Sequence, residues 1–221
     1  MKIIGKIYTD MPEKFGVPRQ AGNVPALDGK IIFNPPYNVA EAFAGLEDFS
    51  HIWILWQFSE SIREDFSPTV RPPRLGGEKR KGVFATRSPF RPNAIAMSCV
   101  KLKKIEHTKN HGTVLYVTGV DMMNGTPVLD IKPYITYTDS HTDAKQGFAE
   151  DFVDYSLHVV FPDELLQRIP KNKQDGIIGI LKQDPRPSYQ TDRSRIYGMK
   201  YLDFDIKFKV DNKILYVVDV I

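Results

Sequence analysis

The sequence predicts a mainly β protein: an all-β sandwich or barrel with irregular connections over residues 1–150, then a small α+β domain over residues 151–221. Three observations carry this. Short runs of β-branched and aromatic residues, broken by proline and glycine, fill the first part of the chain. Around Glu150 to Pro162 the pattern changes and helix-like spacing enters. The strand-and-helix alternation of a doubly wound sheet is missing, and neither G-x-G-x-x-G nor G-x-x-x-x-G-K-[ST] occurs, so a nucleotide-like cofactor would not be held in a Rossmann or P-loop manner.

In chain order, IIGKIYT, KIIFNPPY, HIWILWQF, GVFAT, AIAMSCVKL, TVLYVTGVDM and PVLDIKPYITY read as strands. Val39 to Phe43, ahead of Gly45, suits a short helix. SLHVVF is strand-like, and PDELLQRI and NKQDGIIGILKQD are helix-like. After the loop DPRPSYQTDRSRIYG comes LDFDIKFKV, where Leu202, Phe204, Ile206, Phe208 and Val210 alternate with charged residues. Asp211-Asn212 then offers a turn into KILYVVDVI, which makes a half-buried hairpin.

The 221 residues, 42% of them hydrophobic, suffice for one good core and a small second one. A single cysteine, Cys99, excludes an intramolecular disulfide, and MKIIGKIYTDMPEKFG lacks the apolar run of a signal peptide, so a cytoplasmic protein is expected. IWILW and LYVVDVI are far short of the roughly 20 residues of a membrane span. The five histidines are scattered, and His107 and His111 sit in a polar turn without a zincin glutamate, so no metal is expected. Cys99, inside AIAMSCV, reads as a buried small residue.

The net charge of +3 is unevenly spread. Arg71, Arg74, Lys79, Arg80, Lys81, Arg87 and Arg91 stand against Glu78 between residues 71 and 91, which leaves −3 for the rest. Such a basic face attracts phosphate or carboxylate. Arg71-Pro72-Pro73-Arg74 is held extended by its prolines, and Gly76-Gly77 permits a tight turn: a rigid connection or a preformed wall of a site. Arg87 and Arg91 flank Ser88-Pro89-Phe90 with Pro92-Asn93 following. Guanidinium binds carboxylate or phosphate bidentately, which favours a ligand role over bonding to carbonyls, and KFGVPRQ repeats the Pro-Arg combination. In GVDMMNGTPVLDIKPY, Asn124-Gly125 is a turn signal between Asp121 and Asp130, and Lys132-Pro133 closes the strand. The stretch is either a β-hairpin with ordinary turn residues or a strand end suited to a cationic or zwitterionic small molecule.

KFGVPRQAG, GLEDFSHIWIL, VRPPRLGG, GVFATRSPFRPNAIAMS, NGTPVLDIKPY and DPRPSY together resemble the TsaA/TrmO-like family, over nearly the whole chain. The resemblance implies a compact β-barrel, S-adenosylmethionine as cofactor, a homodimer with its site near the subunit interface, and methylation of N6 of threonylcarbamoyladenosine in tRNA, at adenosine 37 of the anticodon loop. Carried over by motif, cofactor contacts fall on Pro18, Arg19, Gln20, Ser59, Glu60, Arg87, Met97 and the run Thr118, Gly119, Val120 and Asp121. Two departures stand out: Asn124-Gly125-Thr126-Pro127 where the family usually has Asp-Gly-Thr-Pro, and Ser59-Glu60 where it often has His-Gln.

The chemistry then assigns Arg87 to the cofactor. Arg91, with Arg71 and Arg74, goes to the substrate's carboxylate or phosphate, and Asn93, Lys132 and Tyr134 complete the substrate set. The N6 proton calls for a general base, with Asp121 and Asp130 the candidates. Two other readings stay open: a non-catalytic RNA-binding barrel using Phe84, Phe90, Tyr134 and Tyr137, and a methyltransferase with a non-tRNA acceptor. Either Arg186, Arg193 and Arg195 touch the anticodon arm, or Asp184-Pro185-Arg186-Pro187 packs against the barrel.

Overall fold

The computed structural model describes residues 1–62, 65–76, 79–187, 190 and 192–221. Gly77 of the expected tight turn, Glu78, and Ser188 and Tyr189 of DPRPSY lie outside the described residues.

Six strands form a closed antiparallel barrel: β1 (Gly5–Thr9), β2 (Asp28–Phe33), β3 (His51–Gln57), β6 (Ile95–Thr108), β7 (Gly112–Thr118) and β8 (Thr126–Pro133). Their order around the barrel is β1-β2-β7-β6-β3-β8. A separate two-stranded arm, β4 (Thr69–Val70) with β5 (Lys81–Gly82), projects from the β3-to-β6 connection. Period-two alternation builds the wall: along β3, Ile52, Ile54 and Trp56 are buried, and His51, Trp53 and Leu55 lie between them less covered. Closure leaves no free sheet edge, and Ile7, Ile31, Ile54, Leu115 and Val128 fill the interior.

Because the strands are antiparallel, one end of the barrel receives only the connections 10–27, 58–94 and 119–125. The other end receives the N-terminus, 34–50, the tight 109–111 turn and the exit from β8. The 119–125 connection corrects the hairpin reading of GVDMMNGTPVLDIKPY: β7 and β8 stand on opposite sides of the six-strand ring, so the segment crosses the barrel mouth. It starts at Gly119, φ +78°, a left-handed turn that favours glycine. It is tied down on the way by Gly119 N–H to the Leu27 carbonyl, Thr9 Oγ1 to the Met122 carbonyl, Asn124 N–H to the Met11 carbonyl and Gly125 N–H to the Ile7 carbonyl. Met122 is wholly buried beneath it.

GVFAT is not a strand. Lys81–Gly82 pair only with the arm, and Val83–Ala85 form a 3-10 turn. The expected short helix is a 3-10 turn at Ala40–Phe43. His107 lies within β6, which runs longer than the sequence suggested, and its Nδ1 sits 3.0 Å from Thr113 Oγ1. Cys99 is half-buried rather than buried, and desolvation pushes its thiol up.

After α1 (Thr136–Asp139) the chain returns to a second sheet, with order β10-β11-β12-β9. Its strands are β9 (His158–Val160), β10 (Tyr197–Tyr201), β11 (Phe204–Asp211) and β12 (Ile214–Val220). The helices α2 (Asp163–Leu166) and α3 (Lys171–Lys182) follow Pro162 and Pro170, each of which fixes the turn into the helix. The buried stripe of α3, Gly176, Ile177, Ile180 and Leu181, seats it in a core continuous with that of the barrel. Tyr201 and Leu27 meet at Gly176, Val24 meets Gly179, and Lys173 Nζ reaches Asp10 at 2.6 Å. The sheet is therefore clamped to the connection 10–27, on the side of the barrel mouth.

Candidate active site

The three connections at the mouth bring most of the sequence-predicted residues together. Gly22 N–H donates to the Gly119 carbonyl at 2.8 Å, so the Pro18-Arg19-Gln20 loop lies against the start of the crossing segment. Arg87 donates from Nη1 to Gln20 Oε1, and Gln20 Nε2 donates to the Arg19 carbonyl. Asp121 turns inward, and its Oδ1 accepts from Ser98 Oγ at 2.6 Å. Ser98 in turn accepts from Trp56 Nε1 at 2.9 Å. Burial pushes the Asp121 carboxyl up from its ordinary range; the Ser98 hydroxyl, its own and Ala21's backbone N–H groups and the Arg87 charge pull the other way without cancelling it. The mouth thus holds a desolvated carboxylate beside an exposed guanidinium.

Ser59 and Glu60 line the same end. Lys14 Nζ donates to the Glu60 carbonyl at 2.7 Å and to Ser61 Oγ at 3.2 Å. The Lys14–Glu60 carboxylate distance of 3.8 Å is a solvated surface pair that contributes little.

Arg91, Arg19 and Arg74 are held by intramolecular partners. Arg91 donates to the Thr86 carbonyl at 2.7 Å and to the Val83 carbonyl at 3.3 Å, which fixes the 83–91 loop. Arg19 donates to the carbonyls of Arg186 and Asp184, at 3.3 and 3.5 Å. Arg74 lies over Phe152 and Tyr155, at 5.6 and 4.9 Å from the ring centres. Arg71 and Asn93 are exposed on the same connection.

Four residues stand apart from this cluster. Asp130 pairs in register with Leu55, and Leu55 with Met97, a parity opposite to that of Ile54 and Trp56. Asp130 and the exposed Met97 therefore lie on the outer wall, where Asp130 pairs with Lys132 at 3.1 Å. Tyr134 caps the far end, its ring 5.8 Å from that of Trp53 and 6.3 Å from that of His51. The seven residues of β3 separate that end from the mouth by roughly 20 Å at about 3.3 Å per residue. Among the described residues, no group of three His, Cys, Asp or Glu side chains is placed to hold a metal ion, and no helix is long and apolar enough to cross a membrane.

The sequence reading missed Ser98, Trp56 and Tyr155, and it named Arg186 without its ion pair to Asp184. Ser98 is only 2% exposed; a hydroxyl inside the apolar AIAMSCV was its signal, because a buried polar group needs a partner. Asp184 takes a left-handed φ of +52° and binds Arg186 through two bonds of 2.8 and 3.0 Å. Tyr155 donates to it at 2.8 Å. A cleft of about 470 Å³ opens between this cluster and the barrel, lined by Lys14, Val17, Arg19, Pro73, Gln183 and Pro185 among others.

Residues 6–140 match the family model of the tRNA-methyltransferase O N-terminal domain, and residues 154–221 match that of the TrmO C-terminal domain. The chain belongs to the tRNA-methyltransferase O family. Within the TrmO family it is 42% identical, over 94% of its length and 91% of the relative's, to a protein of Escherichia coli K12 named "tRNA (adenine(37)-N6)-methyltransferase". It is 39% identical, over 92% of its length and 89% of the relative's, to a Pseudomonas aeruginosa protein named "Putative S-adenosylmethionine-dependent methyltransferase RcsF". The crystal structure of TrmO from Pseudomonas aeruginosa superposes with a TM-score of 0.78 at 34% identity, covering 99% of this chain and 96% of that one. The barrel and the second sheet are thus both features shared with a solved TrmO.

Proposed function

We propose that this chain transfers a methyl group from S-adenosylmethionine to N6 of adenosine 37 in tRNA, the acceptor being the threonylcarbamoylated nucleoside. The observation that carries this is the 42% identity to the Escherichia coli tRNA (adenine(37)-N6)-methyltransferase over 94% of the chain.

The donor set at the mouth fits S-adenosylmethionine, a zwitterion with a carboxylate, an ammonium and a sulfonium. Arg87 is exposed and suits the carboxylate of such a ligand, and the Asp121 carboxyl lies at the same mouth. When bound there, the cofactor supplies a methyl group on a positively charged sulfur. Pro18 to Gln20, Ser59, Glu60 and the Thr118 to Asp121 segment would hold it, with Arg87 oriented by Gln20.

Methyl transfer is an in-line displacement, so orientation is the main task, and alignment contributes on the order of 7–11 kcal/mol. Asp121 takes the N6 proton, a role suited to a carboxyl raised by burial and held in one rotamer by Ser98. Asp130, on the outer wall, is not given this role. Arg71 and the neighbouring basic residues meet substrate phosphate. The cytoplasmic homodimer of 1–150 and 151–221 domains that the family resemblance implies belongs to this reading.

The test is methyl incorporation from labelled S-adenosylmethionine into tRNA with and without threonylcarbamoyladenosine, followed by nucleoside analysis. Label confined to the first, as the N6-methylated nucleoside, is expected. Cofactor binding without label in either would move the acceptor elsewhere, and no cofactor binding would favour a non-catalytic barrel.

A further inference from the structure

The arm that leaves the barrel between β3 and β6 carries two phenyl rings in water. Phe84 is 72% exposed and Phe66 57% exposed, and their ring centres lie 6.4 Å apart with planes 27° from parallel. Two large apolar side chains left mostly uncovered and stacked on each other are a surface feature that calls for a partner. The backbone that carries Phe84 is held on both sides. Val83 is buried and donates its N–H to the Pro68 carbonyl at 2.9 Å. Thr86 Oγ1 and Arg91 both bond to the Val83 carbonyl, so the backbone on either side of Phe84 is held. The Arg91 guanidinium lies 5.8 Å from the Phe84 ring centre.

Charge narrows the class of partner. From Asp65 to Arg91 the described residues include Arg71, Arg74, Lys79, Arg80, Lys81, Arg87 and Arg91 against Asp65, with Glu78 the further acid in sequence. Arg71, Lys79, Arg80 and Lys81 are all exposed. Flat rings interleaved with cations are what an unpaired nucleic-acid strand recognises: every base has a face to stack, and every linkage has a phosphate. Phe84 stands three residues before Arg87, so the platform and the mouth share one loop.

We propose that Phe66 and Phe84 form a stacking platform for an unpaired base of the tRNA anticodon loop, with Lys79, Arg80 and Lys81 holding the adjoining phosphates. The platform anchors the loop while the target adenine enters the mouth. This rests on the tRNA reading above for the identity of the partner.

The experiment is equilibrium binding of the full chain to a fluorescein-labelled anticodon stem-loop RNA across a salt series, with S-adenosylmethionine affinity followed separately by calorimetry. Phe66→Ala with Phe84→Ala should weaken RNA binding on the order of tenfold per ring, leave cofactor affinity unchanged, and keep the salt slope. Phe84→Trp should restore binding in the single-ring background. Alanine at Lys79, Arg80 and Lys81 should reduce the slope of log K against log salt by about two. Wild-type RNA affinity in the double alanine variant would overturn the platform. So would sedimentation showing that this variant breaks a wild-type dimer, which would make the rings a self-association surface. If the wild-type chain itself binds cofactor but no RNA, the tRNA reading fails first and takes the platform with it.

Discussion

The two ends of the barrel are built from the same six strands and differ in what their connections carry. At the far end the loops are capped by packing: Tyr134 rests on Trp53 and His51, and the Trp53 indole N–H donates to Asp139 at 2.9 Å. At the mouth three connections converge, a carboxylate is desolvated and a guanidinium is left facing solvent. A closed wall stabilises either end equally, so chemistry is free to gather wherever the long loops fall.

The sharpest way to break this contrast is to compare its two carboxylates. Asp121→Asn should lower kcat for methyl transfer by roughly 10²–10⁴, the range for loss of a positioned base, and Asp130→Asn should change it less than about threefold, since its surface pair with Lys132 contributes little. Equal effects in single-turnover assays would dissolve the distinction between mouth and wall. Next in size is Arg87→Ala, which should weaken S-adenosylmethionine binding by about 1.5–3 kcal/mol, the range for a hydrogen bond to a charged group, as read by calorimetry. Arg91→Ala should instead loosen the 83–91 loop, because its guanidinium serves carbonyls.

The pH dependence sharpens the comparison from another side. Asp121 is raised by burial, so methyl transfer should climb as pH rises through that raised value, and the limb should vanish in Asp121→Asn. Stability linked to this group is fully present below its unfolded pKa and is lost as pH rises through the folded one. Asp184 runs the other way: burial opposes its charge, but Arg186 and Tyr155 outweigh it and hold the carboxyl low. Its contribution is present above the unfolded pKa and lost as pH falls through the folded one. Thermal melts of Asp184→Asn against the parent chain between pH 3 and 8 should converge at the acid end. A purely structural effect is expected from Gly179→Ala on α3, where a Cβ would collide with Val24 Cγ1. It should cost about 1–3 kcal/mol by denaturant titration and leave cofactor affinity near that of the parent chain.

Much of this was legible in the sequence because alternation is local. β11 announces itself by period two, β3, β6, β7, β8 and β12 by runs of β-branched and aromatic residues, and the loop arginines by their prolines. What was not legible depends on long-range pairing. Asn124-Gly125 carries the chemistry of a hairpin turn, yet the strands it joins pair with other partners, and turn chemistry cannot say which. GVFAT has strand composition, but Thr86 and Arg91 bond to the Val83 carbonyl and the segment curls. Tyr197, Met199 and Tyr201 do alternate with Gly198 and Lys200, so β10 was readable, and the adjacent loop obscured it. Asp184 has one partner within reach of local reading, Arg186 two residues on, but Tyr155 and Arg19 lie 29 and 165 residues away.

The segment from Gly119 to Gly125 is anchored on opposite walls of the ring, in the manner of a beam resting on two supports. A loop fixed on one side swings with that side; a segment held at both ends shares the motion of both. Asp121 sits on that span, braced again from β6 by Ser98. Movement of one wall alone therefore reaches Asp121 only in part, and the 2.6 Å bond from Ser98 keeps its carboxylate turned inward.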